Sequence, residues 1–306
     1  MTRSSSTGAL WPTVAILAAA VLWGSSFAAM KVTITALGPW AVMWIRMTVA
    51  LAIVILFARW LLPLPYRPGD WKLLLPFVLF QPCLYFTLEA NALRFTSSSQ
   101  AGLISASVPL MVALGAHLTL GERVTRGTIA GLLISLTGVI WLSLAGEVTE
   151  TATNPVLGNS LELGAMMTAV GYVLLVKRLS ERYNPWVLTS MQIVAGALFF
   201  LPAGMPHLVN RLPDITAGQA LVLIYLGAFV TLGAFGLYNL GIKYIPANRA
   251  SAFVNLIPVM AVLFGWTLLG ESLNRAQIVA AVCVLAGVWI SQLGGEKIEL
   301  TELHDI

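Results

Sequence analysis

Pro109-Leu-Met-Val-Ala-Leu-Gly-Ala-His-Leu-Thr-Leu-Gly-Glu122 returns as Pro258-Val-Met-Ala-Val-Leu-Phe-Gly-Trp-Thr-Leu-Leu-Gly-Glu271. Each copy sets a proline and a glutamate 13 residues apart, and an arginine follows four residues later, as Arg126 and Arg275. Ile129/Ile278, Gly138/Gly287 and Val139/Val288 continue the match at one offset of 149 residues. A further match at offset 146 pairs Lys31/Lys177, Pro39/Pro185 and Trp40/Trp186. Self-similarity of this kind decides the fold before any local reading does. The repeated segment is apolar, which points to a duplicated membrane protein.

Composition agrees. The 306 residues are 58% hydrophobic and 10% charged, against about 25% charged in a soluble domain. So few charges could not cover a water-facing surface. The apolar residues come in blocks of about 20, the length of helix that crosses a bilayer core of roughly 30 Å. The net charge of +4 reflects Lys and Arg in loops rather than a nucleic-acid face. Cys83 and Cys283 lie inside apolar blocks with no metal or disulfide spacing. The apolar run from Trp11 is too long for a signal-peptide core, so it reads as a retained first helix.

Ten spans are predicted, at 11–33, 39–62, 71–93, 97–119, 126–145, 157–178, 184–205, 217–241, 247–269 and 275–293. Gly38-Pro39, Pro63-Leu-Pro65, Asn184-Pro185 and Pro246 mark breaks where helices start or stop. The spans divide into a repeat over 11–145 and a second over 157–293, with tails 1–10 and 294–306. Five spans per repeat is an odd number, so the second half must cross the membrane upside down. The expected fold is therefore an all-α polytopic membrane protein of ten transmembrane helices in two inverted five-helix repeats. Twelve loop Lys and Arg fall on one side and four on the other. The positive-inside rule then puts both termini in the cytosol, in a bacterial cytoplasmic (inner) membrane.

Trp23-Gly-Ser-Ser-Phe-Ala-Ala-Met-Lys31 resembles the W-G-S-x-F-x-x-x-K signature of the EamA-type family of drug/metabolite transporters. The paired Pro-x12-Glu segments look like the ends of that family's five-helix repeats. The resemblance covers essentially residues 11–293 and rests on spans, inversion and both motifs together. It implies a bundle with one central substrate path, lined by spans 1–4 and 6–9, with spans 5 and 10 packed outside. It also implies export of amino acids or related metabolites, aromatic amino acids among them. The second half departs from the signature, carrying Ala169, Val170, Gly171 and Tyr172 at the aligned positions. A pocket that uses Trp23 is then asymmetric.

The candidate substrate residues follow from polarity at membrane depth. Trp23, Ser26 and Phe27 share one side of span 1 beside the small-residue stripe Ala20, Gly24, Ala28. Packing against a neighbouring span is the competing reading. Gln81, Tyr85 and Glu89 stand four apart in span 3 and form a polar stripe, which should face protein or water rather than lipid. Glu89 either pairs with Arg46, at a similar depth, or carries a proton. Tyr238 aligns with Glu89 in the second half, and Asn239 follows it. Ser251 and Asn255 precede Pro258 as Ser105 and Ser107 precede Pro109. Pro82, Pro109 and Pro258 are expected to bend their helices near mid-span, freeing carbonyls and serving as hinges. His117 reads as an interface histidine, and Glu122 and Glu271 as helix-start structure.

The reading these residues favour is a secondary transporter that exports a small amino-acid-like metabolite by alternating access. Its partners are that substrate and the lipid bilayer, and it works as a monomer. A nucleotide-sugar-like cargo would demand clustered Lys or Arg at depth, and only Arg46, Lys31 and Lys177 approach it. A cationic drug remains a further alternative. An intramembrane enzyme would need a metal or nucleophile constellation, and a channel a charged ring; neither is visible. No catalytic residue, cofactor, metal or nucleic-acid partner is expected. No phosphate-binding loop occurs, and the choice between proton coupling and downhill export stays open.

Overall fold

A computed structural model describes residues 10–61, 66–120, 125–150, 152–209, 215–244 and 253–302. Eight helices among them are long and apolar enough to cross a membrane. These are α1 (Trp11–Leu37), α2 (Pro39–Leu56), α3 (Trp71–Phe95), α4 (Ser98–Thr119), α5 (Arg126–Leu144), α6 (Pro155–Ser180), α7 (Pro185–Val209) and α8 (Ala217–Tyr244). Two shorter apolar helices follow, α9 (Leu256–Leu269) and α10 (Arg275–Ile290). Among the described residues the one β pairing is an isolated bridge between Thr149 and Ala152, before α6.

The helix ends obey local chemistry. The first helix runs to Leu37, past the expected residue 33, because nothing in Val32–Leu37 breaks it. Gly38 stops it at φ 79°, a left-handed conformation that glycine adopts freely, and Pro39 opens α2 at its first position. Gly270 ends α9 the same way at φ 65°. Part of the ninth predicted span, residues 247–252, lies outside the described residues, as do Pro63, Pro65 and Pro246.

The three predicted bends take different forms. Gln81 leaves the helix entirely at φ −145°, ψ 120°, just before Pro82. Ser105–Ser107 form a 3-10 turn ahead of Pro109, and their hydroxyls bond back to the Gly102 and Ile104 carbonyls at 2.6 and 2.7 Å. Pro258 stands two residues into α9, just after a turn at Asn255 that follows the helical residues 253–254. Span 8, which has no proline, widens instead into a π-helical stretch over Leu226–Ala234. There the Thr231 hydroxyl donates to the Leu226 carbonyl at 2.8 Å.

Close approaches between helices are made at small residues. A Cβ added to Gly24 in α1 would stand 2.4 Å from the Met260 Cβ in α9. The α5–α10 seam is close as well, and there the neighbours include backbone atoms. A Cβ on Gly138 would reach Val284 Cγ2 at 2.8 Å and the Ala280 carbonyl at 3.0 Å. One on Gly287 would reach the Ser135 nitrogen at 2.6 Å and the Gly131 carbonyl at 2.5 Å. Val284 is the 149-residue counterpart of Ser135, and Ala280 that of Gly131. The seam therefore maps onto itself under the offset. The outer sides of this pair expose Ile129, Leu133, Ile140, Ile278, Val282 and Trp289.

Lysines and a glutamate tie the helix ends. Lys31 donates from Nζ to the Leu93 and Thr96 carbonyls at 2.6 and 2.7 Å, completing the C-terminal end of α3. Lys177 donates to the Ile242 carbonyl at 3.1 Å, and Ile242 is the 149-residue counterpart of Leu93. The Glu271 carboxylate accepts from the N–H and hydroxyl of both Ser98 and Ser99, at 2.6–2.9 Å. A carboxylate there satisfies free N–H groups of α4 and complements its dipole. Glu271, expected as loop and helix-start structure ahead of Arg275, instead caps the start of α4 with its carboxylate, and Glu122 lies outside the described residues.

Candidate functional site

A cavity of about 70 Å³ lies between α1, α2, α3, α4, α6, α8 and α9, smaller than the usual small-molecule site. Neither α5 nor α10 contributes a residue to it. Its floor and walls are aromatic. The Trp23 ring meets Phe235 edge-on at 5.1 Å and lies 5.0 Å from Tyr238. Phe86 meets Phe235 at 5.9 Å, and Tyr172 lies 6.4 Å from Tyr238. Apolar residues that fill mid-membrane positions thus enclose space here rather than closing it.

A carboxyl group and a guanidinium face this space. Glu89 is 3% exposed; its Oε1 accepts from the Tyr85 hydroxyl at 2.7 Å, and its Oε2 is buried without a partner. Arg46 is 1% exposed. Its Nε donates to the Thr231 hydroxyl at 2.8 Å, its Nη1 approaches Met30 Sδ at 3.1 Å, and its guanidinium sits 4.3 Å from the Phe86 ring centroid. The two groups feel each other electrostatically, yet they form no ion pair. Among the described residues the one salt bridge joins Arg182 to Asp70, far from the cavity. Of the two readings of Glu89, partner of Arg46 or proton carrier, the direct pair is not formed: Tyr85, one helical turn away on the same face, takes the carboxylate. Trp23 adds an unfilled donor, since its Nε1 is buried with no partner.

Behind the wall a polar network holds the helices in register. The Tyr172 hydroxyl donates to Asn239 Oδ1 at 2.6 Å. Asn239 Nδ2 donates to Thr189 Oγ1 at 2.9 Å and Gln192 Oε1 at 3.4 Å. Gln192 Nε2 in turn donates to the Gln81 carbonyl at 3.3 Å. The carbonyl freed where α3 breaks thus finds its acceptor role inside the protein, as membrane depth demands.

Of the residues singled out from sequence, Trp23, Ser26, Phe27, Gln81, Tyr85, Glu89 and Tyr238 all line the cavity. Asn239 does not; it is fully buried in the network behind it. Asn255 also stands off the cavity, with its Oδ1 buried and unpartnered. Ser251 lies outside the described residues. His117 is exposed at the end of α4. Sequence reasoning missed Phe235, Tyr172 as a wall residue, and Glu162. Glu162 in α6 is wholly buried, within electrostatic reach of Glu89, and neither of its oxygens has a partner. An ionisable residue in an apolar span was the signal that could have found it.

Comparison with known proteins agrees with this architecture. The model of the EamA-like transporter family matches the chain twice, over residues 10–144 and 156–293. The uncharacterized transporter YcxC of Bacillus subtilis is 28% identical over 288 residues, covering 90% of each chain. A protein of Chlamydia trachomatis named S-adenosylmethionine/S-adenosylhomocysteine transporter is 29% identical over 285 residues, 88% of this chain and 85% of that one. A solved crystal structure aligns with a TM-score of 0.64 at 20% identity, covering 92% of this chain and 96% of the other. At that identity it speaks for a shared fold alone.

Proposed function

Because the chain belongs to the EamA-like transporter family, we propose that it is a secondary transporter exporting small zwitterionic metabolites, amino acids with aromatic or other neutral side chains foremost. One observation carries the reading: Arg46 and Glu89 line the same cavity with opposite charge and do not pair. Leaving two such charges apart at membrane depth is unfavourable. A substrate with a carboxylate for Arg46 and an ammonium for Glu89 completes both. The contacts of Arg46 to Thr231 and Phe86 hold the guanidinium still for that purpose. Trp23, Phe235 and Tyr238 supply faces for a flat or apolar side chain, and Trp23 Nε1 supplies a donor.

The inverted-repeat architecture with alternating access is part of the proposal. The double family match, the self-mapping α5–α10 seam and the parallel contacts of Lys31 and Lys177 all support it. In that scheme the breaks at Pro82, Pro109 and Pro258 serve as hinges, both termini are cytosolic, and one chain contains the whole path. A second reading is a sulfonium or other cationic metabolite. The unfilled Glu89 Oε2 beside aromatic rings favours it, as does the name of the Chlamydia relative.

The deciding measurement is counterflow into proteoliposomes of the purified protein. The labelled panel holds neutral, aromatic and basic amino acids together with S-adenosylmethionine. Exchange of a neutral or aromatic amino acid is expected. Arg46→Gln and Glu89→Gln should each raise the half-saturating concentration by about tenfold or more, the scale of one charged hydrogen bond. Absence of counterflow for every amino acid, with exchange of S-adenosylmethionine alone, would replace the first reading by the second.

A further inference from the structure

Helices α3 and α6 pack antiparallel along the side of the cavity. Gly158 of α6 lies against Thr96, so that an added Cβ would stand 2.7 Å from the Thr96 Cβ. The Thr96 hydroxyl donates to Asn159 Oδ1 at 2.6 Å. Further along, Gly164 comes up to Leu88. Glu162 falls between these two contacts, facing the stretch of α3 that carries Glu89, and the two carboxylates repel each other there. Glu162 is 0% exposed and Glu89 is 3% exposed. Three of their four oxygens have no hydrogen-bond partner. The fourth, Glu89 Oε1, takes the Tyr85 hydroxyl.

Such a pair is incomplete as drawn. Like charges buried together are strongly disfavoured unless something positive lies between them. Arg46 does not supply it, being turned to Thr231, Met30 and Phe86. The other buried titratable groups on the surrounding helices are Cys83 on α3, Tyr172 on α6, Tyr238 on α8 and Lys31 on α1, with the half-buried Tyr85 of α3 beside them, and neither Cys83 nor Tyr85 carries a positive charge. The Tyr172 hydroxyl is committed to Asn239, and Lys31 to the end of α3. Tyr238 carries no positive charge. No group of three metal-binding side chains occurs among the described residues, and two carboxylates without a carbonyl cage make a poor site for a hard cation. A proton fits.

Access differs between the two carboxylates. Glu89 lines the cavity and Glu162 does not. We propose that Glu89 and Glu162 together hold a coupling proton, which an ammonium group of the substrate displaces when it binds Glu89. The substrate keeps all its bonds. One proton leaves the pair as one ammonium arrives, and it returns from the opposite side once the substrate has gone. The exchange makes the protein a proton antiporter, with Glu89 shared between substrate and proton and Glu162 the second holder of the proton while no substrate is bound. This rests on Glu89 as the ammonium ligand, and the two ideas fail separately in the test below.

The first arm needs no substrate. Infrared spectra of the full-length protein in lipid, at neutral pH, should contain a protonated-carboxyl band. Glu162→Gln should remove or shift it, and a wild-type spectrum lacking it overturns the proposal. The second arm uses proteoliposomes with the membrane potential clamped and a labelled neutral amino acid that gives counterflow. With one proton per substrate, a gradient of about one pH unit should concentrate the amino acid about tenfold on the acidic side. Glu162→Gln should keep counterflow and lose this accumulation, and Glu162→Asp should restore part of it. Unchanged pH-driven accumulation in Glu162→Gln, or an equal effect of a sodium gradient, overturns the assignment. A wild-type protein that exchanges the amino acid without any pH-driven accumulation overturns it too. Absent counterflow with the infrared band present and sensitive to Glu162 sinks the substrate reading alone.

Discussion

The side-chain amide of Gln192 donates a 3.3 Å hydrogen bond to the main-chain carbonyl of Gln81. It is the point where α7 compensates a defect in α3. Gln81 leaves helical geometry before Pro82, so its carbonyl turns away from the helix axis at a depth where water is absent. Gln192 also accepts from Asn239, so one side chain serves two needs. Gln192→Leu should leave the Gln81 carbonyl without a partner, at about 1–3 kcal/mol, while Asn239 Nδ2 keeps Thr189 Oγ1. Thermal unfolding of the purified variant in detergent should register the loss, and Gln192→Glu should differ from it by retaining the acceptor.

Trp23→Phe separates substrate binding from stability. The indole Nε1 has no partner inside the protein, so removing it sacrifices no internal hydrogen bond. The smaller ring keeps an aromatic face toward Phe235 and Tyr238. The melting temperature should therefore change little, while the half-saturating concentration for counterflow should rise by about tenfold, one hydrogen bond's worth in a dry site. A large drop in melting temperature with unaltered transport would mean that Trp23 only packs.

Glu271 and Gly265 should give the same lesion from two positions. Glu271→Ala removes the four hydrogen bonds that its carboxylate accepts from Ser98 and Ser99. Gly265→Ala puts a Cβ 2.3 Å from Ser99 Oγ and 2.6 Å from Glu271 Oε2, pushing the same cap apart. Each should destabilise by about 1–2 kcal/mol, the scale of a lost helix cap. The double variant should lose less than the sum, because the sites are coupled; additive losses in melting experiments would refute a shared cap.

The α5–α10 seam makes a matched prediction. Gly138→Leu and Gly287→Leu each force a side chain into reciprocal contacts below 3 Å. Both should destabilise by about 1–3 kcal/mol through overpacking, and by similar amounts. Ile140→Leu and Trp289→Leu, on the exposed outer sides, should be nearly silent in the same melting assay.

Much of this was legible in the chain, for definable reasons. Gly38-Pro39 announced a helix break because a proline disfavours helical geometry in the residue before it. Gln81, Tyr85 and Glu89 announced a cavity wall because polar side chains at helical spacing shun lipid. Phe235 and Tyr172 gave no such sign. In a membrane both the lipid-facing and the protein-facing sides of a helix are apolar, so periodicity does not fix the helix's rotation. Glu162 was missed for a different reason. It lies near the start of the predicted span 157–178, where a polar residue passes for an interface position, whereas the helix buries Asn159 against Thr96 and Gln100 and carries Glu162 inward with it. The Tyr85–Glu89 bond, in place of an Arg46–Glu89 pair, was decided by which neighbour shares the helix face.

The α5–α10 seam carries an implication about ancestry and assembly. A contact in which residue i meets j, and the counterpart of i meets the counterpart of j, is the geometry of a two-fold dimer. The first half alone already owns the glycine and the surface that receives it. Two polypeptides, cut in the connection between Ala145 and Pro155 and made separately in one cell, should therefore find each other and restore transport. The covalent link between the halves would then be a convenience of inheritance, one gene replacing a pair of subunits that could once recognise their own kind.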